Sequence, residues 1–191
     1  MKNILHPHPI LIFLVLLTLI ILIGCKDLFH SPESKEGYEI GDKGPAGGIV
    51  FYDAGTIING WRYLEASPTI FSAQWGAYGV DIKGTGLSIG DGKQNTLIIV
   101  AALNELGETG RAAQICDNLN INGYDDWFLP SRDELEEMYN RRRVLEMSYG
   151  EFWSSSQSSI EHTWFQRFSG GTYAQSEGKD EIRSVRAIRA F

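Results

Sequence analysis

Side chains that could carry covalent or metal chemistry are scarce in this chain of 191 residues, which has two cysteines and four histidines. Three of the histidines precede residue 37, so His162 is the one histidine available to a domain that begins near Tyr38. Any Ser-His-Asp or Cys-His arrangement would have to use His162. The same count excludes histidine-rich metal sites and thiolate zinc sites. The sequence therefore predicts no catalytic residue, no metal site and no cofactor.

The remaining candidates each have two interpretations. Cys116 lies on an apolar stripe of helical spacing within 112–119, which favours a buried, inert thiol over a reactive nucleophile. For Asp125-Asp126 we favour a turn in which aspartate accepts backbone hydrogen bonds, and the alternative is a calcium or acid/base site. The run Arg141 to Arg143 is typical of a solvated helix end, with a polyanion site as the alternative.

The first 25 residues predict export. Ile10 to Ile23 is a run of 14 residues that are apolar except for Thr18. That length fits a signal-peptide core of about 7–15 residues, whereas a membrane-spanning helix needs roughly 20. Leu22-Ile23-Gly24-Cys25 resembles the bacterial lipobox, which implies a diacylglycerol on the sulfur of Cys25 and cleavage before it. The alternative is an uncleaved anchor followed by an incidental cysteine.

The predicted organisation is a lipoprotein signal peptide over 1–24, the lipidated Cys25 with a polar tether over 25–37, and one domain over 38–191. Lipid anchoring makes the membrane one partner and places the protein in the cell envelope, at the outer membrane or cell surface or on the periplasmic face. The formal net charge of −7 argues against nucleic acid as a partner, because that requires a basic stripe.

Local patterns predict strands at both ends of the domain and helices between them. The β-type runs 48–53 and 61–65 predict a hairpin, and the last forty residues predict three or four strands. Helices are expected from a cap at Asn95 or Thr96 to about Leu106, over 111–119, and from Pro130, where Ser131 and Glu134 have capping-box spacing. The glycine-rich segment 74–92 predicts a loop, and it fails the phosphate-loop pattern. The resulting fold class is α+β, with a short antiparallel sheet, two or three helices and long glycine-rich loops.

Aromatic and polar side chains alternate in the C-terminal part of the domain. If Phe165 faces the core, strand alternation places Trp164, Gln166 and Phe168 on the opposite face. An exposed tryptophan with adaptable polar neighbours is typical of recognition surfaces. Core packing is the alternative for some of these aromatic residues.

Several ordered blocks resemble one known family: 44–53, 60–66, 123–131, Glu134-Leu135, 152–156 and 185–191. Together they resemble the Lcl C-terminal domain family of exported bacterial proteins, which are often lipoproteins, and the match covers nearly all of 41–191. The resemblance implies a C-type-lectin-like fold and a binding or adhesion role. It brings no catalytic residues, so we predict that the chain is not an enzyme. Some relatives bind host polysaccharide, and others have their last strands and loops varied by diversity-generating retroelements.

These two arguments place a ligand-binding surface in the last strands and loops, here named the C-terminal surface. The predicted ligand is an unidentified protein or glycan, and the surface is predicted to comprise Gln157, Ile160, Glu161, His162, Trp164, Gln166, Thr172, Tyr173 and Gln175. The function expected is therefore an anchored, adhesin-like binding module, whose binding surface is a candidate for sequence diversification. The alternative is a structural or assembly component of the envelope.

Overall fold

The computed structural model describes residues 37–170 and 175–191. The predicted signal peptide, Cys25 and all but the last residue of the tether lie outside these residues. Tyr38–Phe191 forms one compact unit. Within the described ranges, no helix has both the length and the apolar character needed to cross a membrane.

The described residues form eight strands and three helices. The strands are β1 (Ile49–Ile58), β2 (Trp61–Ala66), β3 (Phe71–Gln74), β4 (Glu151–Gln157), β5 (His162–Arg167), β6 (Gln175–Gly178), β7 (Ile182–Val185) and β8 (Ile188–Ala190). The helices are α1 (Gly92–Glu105), α2 (Ala112–Asp117) and α3 (Arg132–Asn140).

The strands belong to two sheets. Sheet 1 has the order β1-β2-β8 and sheet 2 the order β3-β7-β4-β5-β6 in the described part of the chain. Neighbouring strands are antiparallel except β4 and β7, which are parallel. After β7 the chain leaves sheet 2, and β8 pairs with β2 in sheet 1. The C-terminal residues therefore contribute strands to both sheets.

The prediction of an α+β, C-type-lectin-like fold with one short antiparallel sheet is wrong. Strands make up 32% of the structure and helices 19%, in a β-rich arrangement of two sheets with three short helices. The error has a physical cause: alternation of apolar and polar residues predicts a strand but not the sheet that it joins. The family resemblance led to the expectation of a single sheet, whereas the backbone pairing divides the strands between two sheets.

The first hairpin is present and extends further than its apolar runs predict. Its two strands are joined by Asn59 and Gly60, both with positive φ (51° and 86°), as a tight two-residue turn requires. The pairing shifts between Asp53 and Ile58, so β1 bulges near the turn. This bulge places Ala54 and Ile58 beside the cleft described below.

Helix α1 begins earlier than predicted. Its N-cap is Asp91, which makes no side-chain capping bond, and the expected caps Asn95 and Thr96 lie inside the helix with buried side chains. Thr96 bonds to the backbone of Leu129, and Asn95 bonds to Gly86 and Ser155. Both residues therefore serve tertiary contacts, which local capping preferences do not predict. The capping box of Ser131 and Glu134 at α3 is confirmed.

The two ends of the domain meet. Backbone bonds join Tyr63 to Phe191, and the ring of Phe191 lies 5.1 Å from the ring of Tyr38. The C-terminal strand β8 therefore belongs to sheet 1. This closure places β8 beside β2 and forms part of the floor of the cleft.

Candidate functional site

The described residues of the predicted C-terminal surface lie on β4, β5 and β6 and on the turn between β4 and β5. Ile160, Glu161 and Gln175 are exposed, and His162 and Trp164 are half-buried. The carbonyl of Ile160 accepts a hydrogen bond from the backbone of Gly79, next to the exposed ring of Tyr78. The structure therefore brings part of the predicted set to one end of sheet 2. Thr172 and Tyr173 lie outside the described residues.

Two members of the predicted set, Gln157 and Gln166, make contacts within the domain and are not available to a ligand as predicted. The side-chain oxygen of Gln157 accepts bonds from Ile82 N at 2.9 Å and Lys179 Nζ at 2.7 Å, and its amide nitrogen donates to Asp81 Oδ1 at 2.8 Å. Gln166 is only 1% exposed. Because α3 packs against β5, the face opposite Phe165 is covered at Gln166 and at Phe168. Strand alternation predicts two faces but not which of them faces solvent.

The structure also places the other candidates from the sequence, Cys116 and the pair Asp125-Asp126. Cys116 is buried as predicted, and burial raises the pKa of its thiol. Asp126 bonds to the side chain of Arg189 and not to the backbone, which corrects the turn interpretation. Asp125 is exposed.

Arg142, from the arginine run, stacks on Tyr139 beyond the end of α3, with its guanidinium 4.3 Å from the ring centroid. Across residues 37–170 and 175–191, no group of three or more His, Cys, Asp or Glu side chains could hold a metal ion.

A cleft of about 610 Å³ lies between sheet 1 and the N-terminal half of α1. Tyr52, Leu64 and Ala190 are cross-strand partners and form one row of its floor. Trp61 forms one wall beside this floor, and its ring centroid lies 6.3 Å from that of Tyr52. The lining residues are Tyr52, Ala54, Ile58, Asn59, Gly60, Trp61, Leu64, Ile89, Gly90, Asp91, Lys93, Gln94, Leu97, Phe128, Glu134 and Ala190.

The opposite wall is aliphatic and carries polar groups at its rim. Leu97 on this wall is 50% exposed, and Ile58, the cross-strand partner of Trp61 on the other side, is 47% exposed, so both offer apolar surface to an occupant. Lys93 and Gln94 are exposed on the first turn of α1. The cleft therefore combines apolar walls with a few hydrogen-bonding groups, which is the usual composition of a ligand site, and its volume lies in the usual range.

The loop over this cleft, Leu87–Asp91, is fixed by side chains from two helices. The amide of Asn95 makes two bonds with the backbone of Gly86, which directly precedes the loop, both of 2.8 Å. Glu134 Oε1 accepts a bond from Gly90 N at 2.8 Å, and its Oε2 accepts one from Ser131 N at 2.7 Å. A Cβ at Gly92 would lie 2.2 Å from Glu134 Oε2, so only glycine allows this close approach.

Glu134 has an unusual electrostatic environment at the base of the cleft. Its side chain is buried, and burial raises the pKa of this carboxyl to about 7. Hydrogen bonds from the backbone of Ser131, Gly90 and Gly92 oppose that rise. Because the carboxyl has no cationic partner among the described residues, its protonation changes near neutral pH.

Sequence reasoning missed the cleft. Two sequence signals were available. Residues 97–103 of α1 are all apolar, which is more than the packed face of one helix uses, and in the structure Leu97 is half exposed. The glycine-rich segment before α1 was the second signal, because Gly90 has a φ of 98°, a backbone conformation that favours glycine. Neither signal connects α1 with the hairpin of β1 and β2, which lies earlier in the chain.

Comparisons with known proteins add the fold alone. No protein-family model matches the chain, and no curated protein sequence matches it. One similar solved structure is a fimbrial protein from Bacteroides ovatus ATCC 8483, with a TM-score of 0.50 and 10% sequence identity. The alignment covers 75% of this chain and 44% of the fimbrial protein. The chain thus spans less than half the length of that protein.

Proposed function

We propose that this chain is a lipid-anchored, adhesin-like binding protein of the bacterial envelope whose domain takes its ligand in the cleft between sheet 1 and α1. The single observation that carries the proposal is the cleft itself, in which Trp61, Ile58 and Leu97 offer apolar surface beside the polar side chains of Lys93 and Gln94. Exposed aromatic and aliphatic groups in a concave site lose water on binding and so favour association.

The chemistry of the lining defines the ligand in general terms. Asp91 and Lys93 have opposite charges at the rim, and Glu134 is held by backbone N–H groups. The described lining therefore offers one lysine against two acidic side chains, which does not favour an anionic ligand, and an uncharged, apolar group flanked by hydrogen-bonding atoms fits best. A protein side chain or one face of a sugar ring meets that description.

The anchoring part of the proposal rests on sequence. The apolar run 10–23 and the lipobox-like residues 22–25 support export and lipidation at Cys25. The resemblance to the Lcl C-terminal domain family supports adhesion as the role. Incorporation of labelled fatty acid tests the anchor: Cys25→Ala is expected to abolish it, and labelling that persists in this variant would contradict the assignment.

The binding test uses the full-length lipidated protein in liposomes on glycan and peptide arrays. Trp61→Ala and Leu97→Gln are expected to weaken a detected interaction at least roughly tenfold, because each removes apolar contact area. Leu106→Gln is the matched control, since Leu106 is exposed to a similar extent just past the end of α1 and does not line the cleft.

Trp164→Ala tests the C-terminal surface in the same experiment. Loss of binding in Trp164→Ala, with Trp61→Ala and Leu97→Gln unaffected, would transfer the ligand site to that surface. If the arrays detect no ligand and crosslinking retrieves a stoichiometric envelope partner, the structural or assembly alternative replaces the proposal.

A further inference from the structure

The loop Leu87–Asp91 is attached to the start of α3 by three hydrogen bonds. Asp133 N donates to Leu87 O at 3.0 Å, Ser131 Oγ donates to Ser88 O at 2.8 Å, and Gly90 N donates to Glu134 Oε1 at 2.8 Å. Only the last of these involves a group that can change its charge. Since Ile89, Gly90 and Asp91 line the cleft, this bond also helps to fix one of its walls.

We propose that Glu134 is a proton-operated latch of the cleft: its ionised carboxylate holds the N–H of Gly90, and protonation at Oε1 releases this part of the loop. This inference rests on the proposed function only in identifying the cleft as the ligand site. The release would loosen the wall formed by Ile89–Asp91 and so weaken ligand binding below neutral pH.

The geometry selects the oxygen that takes the proton. Oε2 accepts the 2.7 Å bond from Ser131 N and lies against Gly92, so it stays an acceptor within the capping box. Oε1 accepts the 2.8 Å bond from Gly90 N, which belongs to the loop and not to the capping box. A protonated oxygen is a poor acceptor for an N–H group, so the Gly90 bond is the one lost. The raised pKa of Glu134, about 7, supports a change within the physiological range.

The protonation of Glu134 depends on burial and on hydrogen bonds, because no charged neighbour among the described residues forms an ion pair with it. Arg132 and Asp133 from α3 pair with each other at 2.7 Å. The carboxylate of Asp91 accepts a bond from Ser88 N at 2.9 Å. The surrounding titratable or charged residues are Asp91 from the loop, Lys93 from α1, Arg132, Asp133 and Glu137 from α3, and Tyr52 from sheet 1. None of them forms an ion pair with Glu134 in the described structure.

The test is hydrogen exchange of the full-length protein in detergent, which needs no ligand. Protection of the Gly90 amide, corrected for the intrinsic dependence of exchange on pH, is expected to be roughly tenfold higher at pH 8.5 than at pH 5.5, with a midpoint near 7. Glu134→Gln is expected to show the low value at both pH values. Glutamine keeps the capping box through its oxygen while its NH₂ group faces the N–H of Gly90.

Glu137→Gln is the matched control on the same helix, because the Glu137 side chain bonds to Asn140 and not to the loop. It is expected to behave as the wild type does. Equal wild-type protection at both pH values, or full protection in a folded Glu134→Gln, would overturn the latch. If Glu134→Gln does not fold, the wild-type series decides alone. Retained cleft binding with a flat exchange profile removes only the latch, whereas pH-dependent exchange without cleft binding removes only the proposed function.

Discussion

Arg189 in β8 donates a hydrogen bond from Nη1 to Oε1 of Glu65 in β2, at 3.0 Å, and this glutamate is completely buried. The same carboxylate accepts bonds from the backbone of Ala46 at 3.2 Å and Gly48 at 2.9 Å. A Cβ at Gly44 would lie 2.4 Å from Glu65 Oε2, which explains why glycine occupies that position. Three blocks of the sequence resemblance therefore meet at one buried ion pair, and their shared role here is structural.

Removing the cation of this pair is expected to destabilise the domain strongly. Arg189→Met leaves the charge of Glu65 buried with only backbone partners, at a cost of about 3–5 kcal/mol. Arg62→Met is the matched control in the same sheet, because the pair of Arg62 with Asp53 lies at the surface and its loss is expected to destabilise the domain far less. Urea denaturation followed by tryptophan fluorescence measures both, and equal losses would contradict the argument.

The stability of the domain should depend on pH through Glu134. Its folded-state pKa of about 7 exceeds the ordinary value of 4.5, so the native state binds more protons than the unfolded state between these values. The contribution of Glu134 is therefore complete below about pH 4.5 and is lost as the pH rises through 7. The free energy of unfolding of the wild type minus that of Glu134→Gln is expected to fall by about 3 kcal/mol over this window. A constant difference would mean that the carboxyl titrates normally.

Cys116 is expected to be inert in the folded protein. Its side chain is completely buried, and burial raises the pKa of the thiol, so thiolate is scarce at neutral pH. Alkylation by iodoacetamide should proceed only as fast as the domain unfolds and should become complete in denaturant. Rapid labelling of the native protein at pH 7.5 would show that the thiol is accessible.

Gln157 is expected to contribute to stability and not to direct ligand contact. Gln157→Ala removes an acceptor from the buried ammonium of Lys179 and from the backbone of Ile82, at a cost of about 2 kcal/mol. Ser158→Ala is the neighbouring control, since Ser158 is exposed. Denaturant midpoints measure both variants, and a wild-type midpoint for Gln157→Ala would return this residue to the predicted surface.

Local sequence patterns predicted the elements well where the pattern depends on neighbours in the chain. The capping box at Ser131 and Glu134 and the apolar stripe that includes Cys116 were both recognisable, because each depends on residues within one or two helical turns. Asn95 was misjudged for the opposite reason: its partners are Gly86 and Ser155, and local preference for a cap does not report a tertiary bond. Trp164 and Gln166 show the same limit, since exposure depends on where α3 packs.

The sequence by itself determined the scarcity of histidine and cysteine, the apolar stripe that buries Cys116 and the prediction of a lipidated Cys25, since each follows from counts or from contiguous residues. Tertiary structure alone decided the division of the strands between two sheets and the cleft between Trp61 and Leu97. The physical reason is that backbone pairing and burial join residues far apart in the chain. The hydrogen bond between Glu134 and Gly90, across 44 positions, belongs to this second class.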